Sequence, residues 1–222
     1  MSTYVLMRIL ESAPRRYDLG IRLLTLGSVD RAYDRLVNHI GAGQQVLDIG
    51  CGTGALTVRA GRQGAIVKGI DISAQMLEIA RRRVVEAGFT DTVEVMETGV
   101  AELDGEAAEH FDVVTSGLCF SELSDEELAY TLTQVKRILR PGGLLLVADE
   151  IRPSDPLRRA VLWLIRAPLV ALTYVITQQT THPASDLAKK ITAAGLSLVS
   201  VRHGALGSFG EYVARKPESE AA

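Results

Sequence analysis

The residues best placed to do chemistry lie in the stretch Asp48-Ile-Gly-Cys-Gly-Thr-Gly54 and, some twenty positions further on, at Asp71. Gly50, Gly52 and Gly54 alternate with Cys51 and Thr53, a spacing that lets the chain turn sharply from strand into helix and lets ligand atoms approach the backbone. Asp71 closes the following apolar run, where a carboxylate accepts hydrogen bonds from a ribose diol. Loop and acid together point to a nucleoside-containing ligand. Glycines alone would also serve a plain tight turn, and Asp71 is what raises the loop above that reading.

Two ligand classes fit this spacing. Gly50, Gly52 and Ala55 satisfy the looser G-x-G-x-x-G/A pattern of dinucleotide sites, which would make the chain an NAD(P)-dependent oxidoreductase. Asp48 argues the other way: two residues before the first glycine, it would repel a pyrophosphate and attract a cationic ligand such as one bearing ammonium and sulfonium groups.

Further candidates are sparser. Glu122, Asp149 and Glu150 are the carboxylates nearest the expected cleft and could act as bases, although Ser124 caps a helix just after Glu122 and the Asp149-Glu150 pair could bind Arg152. His39, His110, His182 and His203 are scattered without ligand spacing, so no metal is expected, and of these only His182 stands as a catalytic candidate. The two cysteines, Cys51 and Cys119, give no disulfide framework and suit a reducing, cytoplasmic setting, with Cys119 read as a small buried apolar residue. A net charge of −3 argues against a nucleic-acid partner, because that affinity comes from lysine and arginine on phosphates. Met1 to Leu10 does not read as a secretory signal, and the apolar run Ala160 to Ile176 is interrupted by Arg166 and Pro168, so no transmembrane segment is expected.

The elements that must position these groups follow from periodicity. From about residue 44, short apolar runs alternate with helical ones, the pattern of βαβ units. Strands are expected at Gln45 to Ile49, Ala65 to Ile70, Val93 to Met96, Phe111 to Thr115 and Leu144 to Ala148. Ser73 is placed to cap a helix that Gly88 stops, and Ser124 with Glu127 makes a capping box for a helix reaching about Leu139. Pro141-Gly142-Gly143 then reads as a break before the fifth strand. A helix over Ser185 to Ala194 precedes Leu196 to Val201 and Phe209 to Ala214, close enough to pair antiparallel.

In these residues the chain resembles the class I S-adenosylmethionine-dependent methyltransferases. Val46-Leu-Asp-Ile-Gly-Cys-Gly-Thr-Gly54 resembles their first motif, Gly69-Ile-Asp-Ile-Ser73 the second, Phe111-Asp-Val-Val-Thr-Ser116 the fourth-strand motif and Leu139-Arg-Pro-Gly-Gly143 the turn before strand five. The resemblance implies an α/β, Rossmann-like fold: a mainly parallel seven-stranded sheet with an antiparallel C-terminal hairpin and helices on both faces. It implies S-adenosylmethionine as cofactor, S-adenosylhomocysteine as product, Asp71 on the ribose, Ile72 and Met76 near the adenine, the Gly50 to Gly54 loop beside the methionine part and Ser116 facing its end. One departure concerns the adenine: many members carry an acid after a glycine beyond strand three, whereas here Gly99 is followed by Val100 and Ala101, leaving a backbone contact.

The leader, with Ser12-Ala-Pro-Arg-Arg-Tyr-Asp18, resembles that of the ubiquinone/menaquinone C-methyltransferases and, more closely, the corrinoid-protein-associated methyltransferases. By that resemblance Tyr17 closes over the cofactor, and a corrinoid protein becomes a candidate partner. One domain is expected over 1–222: a helical cap over 1–43, a cofactor core over 44–151, an apolar helical lid over 152–182, and the final helix and hairpin over 183–216. The lid, with Trp163, Leu164, Leu169 and Tyr174, suits a small apolar or macrocyclic acceptor related to quinones, lipids or corrinoids. Core or dimer packing would explain the same residues, and Arg152, Arg158, Arg159 and Arg166 leave room for peripheral membrane contact. The expected activity is methyl transfer, with a non-catalytic S-adenosylmethionine-binding protein as the further alternative.

Overall fold

A computed structural model describes residues 18, 21–22, 27–150, 186–204 and 209–218. The leader up to Tyr17, the 152–182 segment and His182 therefore lie outside the described residues. Within them the order is α1 (Ser28–Val37), β1 (Gln45–Ile49), α2 (Ala55–Arg62), β2 (Ile66–Asp71), α3 (Ala74–Ala87), β3 (Val93–Glu97), β4 (Phe111–Gly117), α4 (Asp125–Ile138), β5 (Leu139–Glu150), α5 (Leu187–Ala193), β6 (Ser197–His203) and β7 (Phe209–Arg215). Short 3₁₀ segments occupy Val100–Gly105 and Phe120–Glu122.

The strands form a seven-stranded sheet in the order β3-β2-β1-β4-β5-β7-β6. Pairs among β1 to β5 are parallel, and β7 runs antiparallel to both β5 and β6. Chain order reverses at β1, which has β2 on one side and β4 on the other, so the crevice for a ligand opens at the carboxyl ends of β1 and β4.

Alternation along the strands explains the layers. Val46, Val67, Val113 and Leu146 face one side and pack with Val29, Ala32 and Leu36 of α1 and Leu56 and Ala60 of α2. Their neighbours Leu47, Val114, Leu145 and Val147 face the other side and pack with Leu128, Leu132 and Val135 of α4 and Leu187 and Ile191 of α5. Two apolar faces require two layers of helix, the structural content of near-continuous apolar strands.

The helix signals read from sequence are realised. The Ser73 hydroxyl accepts from the Met76 N–H at the start of α3, and at α4 the Ser124 hydroxyl accepts from Glu127 N–H while the Glu127 carboxylate accepts from Ser124 N–H. One boundary differs: Pro141-Gly142-Gly143 does not break the strand, because β5 begins at Leu139, which pairs with Phe111 across an irregularity in the ladder. Gly142 takes φ 76° there, its N–H donates to the Lys216 carbonyl, and Lys216 N–H donates to the Gly143 carbonyl. The end of β7 thus supplies partners that turn an expected break into a bulge.

Candidate functional site

The loop after β1 turns on three glycines in the left-handed region, Gly50, Gly52 and Gly54, with φ of 67°, 52° and 77°. At Gly50 a side chain is excluded twice over, by φ and by Cys119, whose Cβ would lie 2.4 Å from a Cβ built there. The loop is tied to β2 by the Cys51 N–H on the Ile70 carbonyl and by the Gly52 N–H on Asp71 Oδ2 at 2.8 Å. Asp71 Oδ1 accepts from Ser73 N–H, also at 2.8 Å. A carboxylate has about four acceptor positions, so these backbone N–H groups do not use all of its acceptor capacity.

Asp48 sits beneath the loop, 1% exposed. Its two oxygens accept from Thr57 Oγ1 at 2.5 Å and Thr115 Oγ1 at 2.8 Å. Burial pushes its carboxyl up to about 6; the threonine hydrogen bonds oppose the rise, and the Asp71 charge adds to it. Asp71 itself is raised by burial, against backbone hydrogen bonds that lower it. Neither carboxylate has an ion-pair partner among the described residues.

Asp48, Gly50, Cys51, Gly52, Thr53 and Gly54 line one cavity of about 520 Å³, together with Tyr33 and Gly117. Ser116, near the end of β4 opposite Ile49, is fully buried, and its hydroxyl has no hydrogen-bond partner among the described residues. On the far side of Asp71, Ile72 is 78% exposed at the sheet edge, and a Cβ built on Gly99 would lie 3.2 Å from its Cγ2. Val100 is partly buried against the core, and the Ala101 carbonyl accepts from Tyr130 Oη. Ile72, Gly99, Val100 and Ala101 thus share one side of the loop, whereas Met76 is buried under α3.

Of the catalytic candidates among the described residues, Glu122 and Glu150 do not line this cavity. Glu122 is exposed and Glu150 half-buried. Asp149 is fully buried, accepting from Ser121 N–H at 3.0 Å and Glu150 N–H at 2.6 Å, and burial pushes it up to about 6. Burial, with the negative charge of Asp48 and Asp71, raises the Cys51 thiol, and Cys119 moves the same way, so both thiols are poor nucleophiles.

Sequence reasoning missed three residues here. Asp18 accepts from Thr53 Oγ1 at 2.8 Å and pairs with Arg83, which also donates to the Thr53 carbonyl and hydroxyl. Asp18, the residue after Tyr17, is thereby fastened to the glycine loop. Tyr33, 7% exposed, reaches over Gly117 with Arg59 stacked on its ring, centroid to Cζ 5.7 Å. The apolar face of α1, Val29, Ala32, Tyr33, Leu36 and Val37, was the available signal.

Known proteins decide the family. The model of a methyltransferase domain matches residues 46–143. An uncharacterized methyltransferase of Synechocystis sp. is 30% identical over 202 residues, covering 88% of this chain and 89% of that one. This chain belongs to the class I S-adenosylmethionine-dependent methyltransferases. The ubiquinone/menaquinone biosynthesis C-methyltransferase of Hahella chejuensis is 32% identical over 157 residues, 68% of this chain; the match spans 61% of that relative's length. A chain from the complex of the Haloferax volcanii Trm112 methyltransferase activator with a methyltransferase has the same fold, with TM-score 0.71 at 17% identity over 96% of this chain and 98% of that one. Membership of this methyltransferase family displaces the nicotinamide-dependent alternative that the glycine spacing had left open. Among the described residues no helix is long and apolar enough to cross a membrane.

Proposed function

We propose that this methyltransferase binds S-adenosylmethionine across the carboxyl ends of β1, β2 and β4 and passes its methyl group to a small apolar acceptor of the quinol type. The observation that carries the reading is Asp48: a carboxylate 1% exposed, lining the cavity, whose hydrogen bonds come from the Thr57 and Thr115 hydroxyls and the Thr57 backbone, with no ion-pair partner among the described residues. Buried charges are normally paired, and a cationic ligand supplies the missing charge. A dinucleotide pyrophosphate would meet the same carboxylate with the wrong sign.

In this reading Asp71 holds the ribose diol with its remaining acceptor positions, and the Gly50 to Gly54 loop with Cys51 and Thr53 lies along the methionine part. Ser116 gives its hydroxyl to the methionine end. Ile72, exposed beside Gly99, Val100 and Ala101, offers the apolar surface and backbone groups for the adenine, with Met76 filling the core beneath. The resemblance gives Tyr17 the role of closing over the cofactor, and the residue after it, Asp18, bonds Thr53 and Arg83.

When bound, the sulfonium supplies an activated methyl group for in-line displacement, so the protein need furnish no nucleophile of its own. What the chain does is align the partners, exclude water and hold a counter-charge at Asp48. Glu122, Glu150 and His182 are not needed for that role. The acceptor class follows the quinone names of the curated relatives rather than the corrinoid expectation from the leader.

The test is calorimetric titration with S-adenosylmethionine, S-adenosylhomocysteine and NAD(P), followed by incubation with naphthalene-1,4-diol under reducing conditions and mass detection of a methylated product. Micromolar binding of the adenosyl ligands alone, about −8 kcal/mol, with product formation is the expected result. Binding of NAD(P) alone would overturn the reading, and adenosyl binding without product from any acceptor would leave a binding protein.

A further inference from the structure

Tyr33 is a buried titratable residue that the cofactor reading does not use. It belongs to the apolar face of α1, yet it lines the cavity with Asp48, Gly50, Gly117 and Leu118. Its ring is pinned by Arg59, which is itself fixed by Asp30 at 2.7 Å, Asp34 at 2.8 Å and the Ala55 carbonyl at 2.9 Å. Its hydroxyl end lies over the last residue of β4: a Cβ built on Gly117 would stand 2.3 Å from Oη, so only glycine leaves the space. Ser116, the buried hydroxyl assigned above to the methionine end, is the preceding residue of the same strand. The phenol is thus held at the carboxyl end of β4, in the cavity that Asp48 and the glycine loop line.

The surroundings settle what the hydroxyl can do there. Burial, followed by the charges of Asp48, Asp149 and Asp18, pushes the phenol far above its ordinary range, with Arg59 opposing only in part. Tyr33 stays protonated and is a donor rather than a base. An O–H fixed on a buried side chain at the cavity wall favours a partner oxygen and disfavours an apolar surface in its place.

We propose that Tyr33 is a specificity-determining residue of the acceptor pocket, its hydroxyl donating a hydrogen bond to an oxygen of the methyl acceptor. The inference rests on the methyl-transfer reading above and narrows it: acceptors carry a hydroxyl or oxo group that can reach Oη, as quinols do, and plain hydrocarbons of the same shape are rejected.

The experiment compares native protein, Tyr33→Phe and Gly117→Ala, each loaded with S-adenosylhomocysteine, in binding naphthalene-1,4-diol and naphthalene. Native protein is expected to prefer the diol. Tyr33→Phe keeps the ring on Arg59 and the melting temperature, binds S-adenosylhomocysteine within about twofold of native, and loses about tenfold of the diol preference, the size of one buried hydrogen bond. Gly117→Ala displaces the hydroxyl and loses the preference in the same direction with Tyr33 intact. A Tyr33→Phe protein that retains the full preference overturns the inference, as does native protein that binds S-adenosylhomocysteine but does not prefer the diol. Native protein that binds no S-adenosylhomocysteine overturns the functional reading itself, a separate and recognisable failure.

Discussion

The two ends of the same parallel strands treat the carboxylates on or next to those strands differently. At the amino ends, Asp112 accepts from Gln45 N–H at 2.8 Å and from Arg140 at 2.5 Å, and Lys216 bridges Glu109 at 3.1 Å and the Leu139 carbonyl at 2.7 Å. Each of those two carboxylates has a cation. At the carboxyl ends, among the described residues, Asp48 and Asp71 have hydroxyls and backbone N–H groups only, Ser116 has no partner, and Ile72 stands exposed. The difference separates an edge finished by folding from one that a cationic nucleoside would complete.

Substitutions at the two edges should therefore diverge. The largest effect is expected at Asp48. Asp48→Asn keeps the shape and can still bond Thr57 and Thr115, but removes the counter-charge; S-adenosylmethionine binding should weaken by about 3 kcal/mol, near the upper range for a charged buried contact. S-adenosylhomocysteine, which lacks the sulfonium, should lose less, as calorimetry on both ligands would show. The same variant should be at least as stable as native at neutral pH. Asp48 has a folded value raised to about 6 from 3.8, so its contribution to stability is fully present below the unfolded value and is lost as pH rises through the folded one. At neutral pH the ionised, buried form costs roughly 3 kcal/mol that Asn does not incur. A clear drop in the melting temperature of Asp48→Asn would break the comparison.

Next in size, Asp71→Ala should weaken both adenosyl ligands by about 1 to 3 kcal/mol, since the ribose acceptor and the anchor of Gly52 are lost together. The mirror experiment is Asp112→Ala at the amino edge: about 1 to 2 kcal/mol of stability lost, read by denaturant unfolding, with ligand affinity unchanged. The smallest change is Ser116→Ala. Removing an unpartnered buried hydroxyl should raise apo stability by about 1 kcal/mol while costing a few-fold in S-adenosylmethionine affinity. Lower apo stability in that variant would mean that the hydroxyl is satisfied by the protein.

How far this division could be read from sequence depends on how local its causes are. The strands and their two faces were legible because Val46 and Leu47, Val113 and Val114, and Leu145 and Leu146 are adjacent apolar residues that must face opposite layers. Asp71 was legible because its place at a strand end one βα unit after the glycines is set by chain geometry. The start of β5 was not, because Pro141-Gly142-Gly143 is a break signal locally and becomes a bulge only when Lys216 arrives from the other end of the chain. Tyr33 was hidden for the same reason: its spacing in α1 is that of any core aromatic, and its proximity to the cavity comes from Gly117, far along the chain. Ser116 was named as a site residue by resemblance, but its lack of a partner is visible only in three dimensions.

The central claim is that Asp48 is an uncompensated carboxylate awaiting a cation. It is tested most directly by calorimetric titration of native protein and Asp48→Asn with S-adenosylmethionine between about pH 5 and pH 7, the window that brackets the raised carboxyl. The account predicts that native affinity rises with pH as Asp48 ionises and that the slope is largely lost in Asp48→Asn. Equal affinity and an unchanged pH profile in the variant would contradict it.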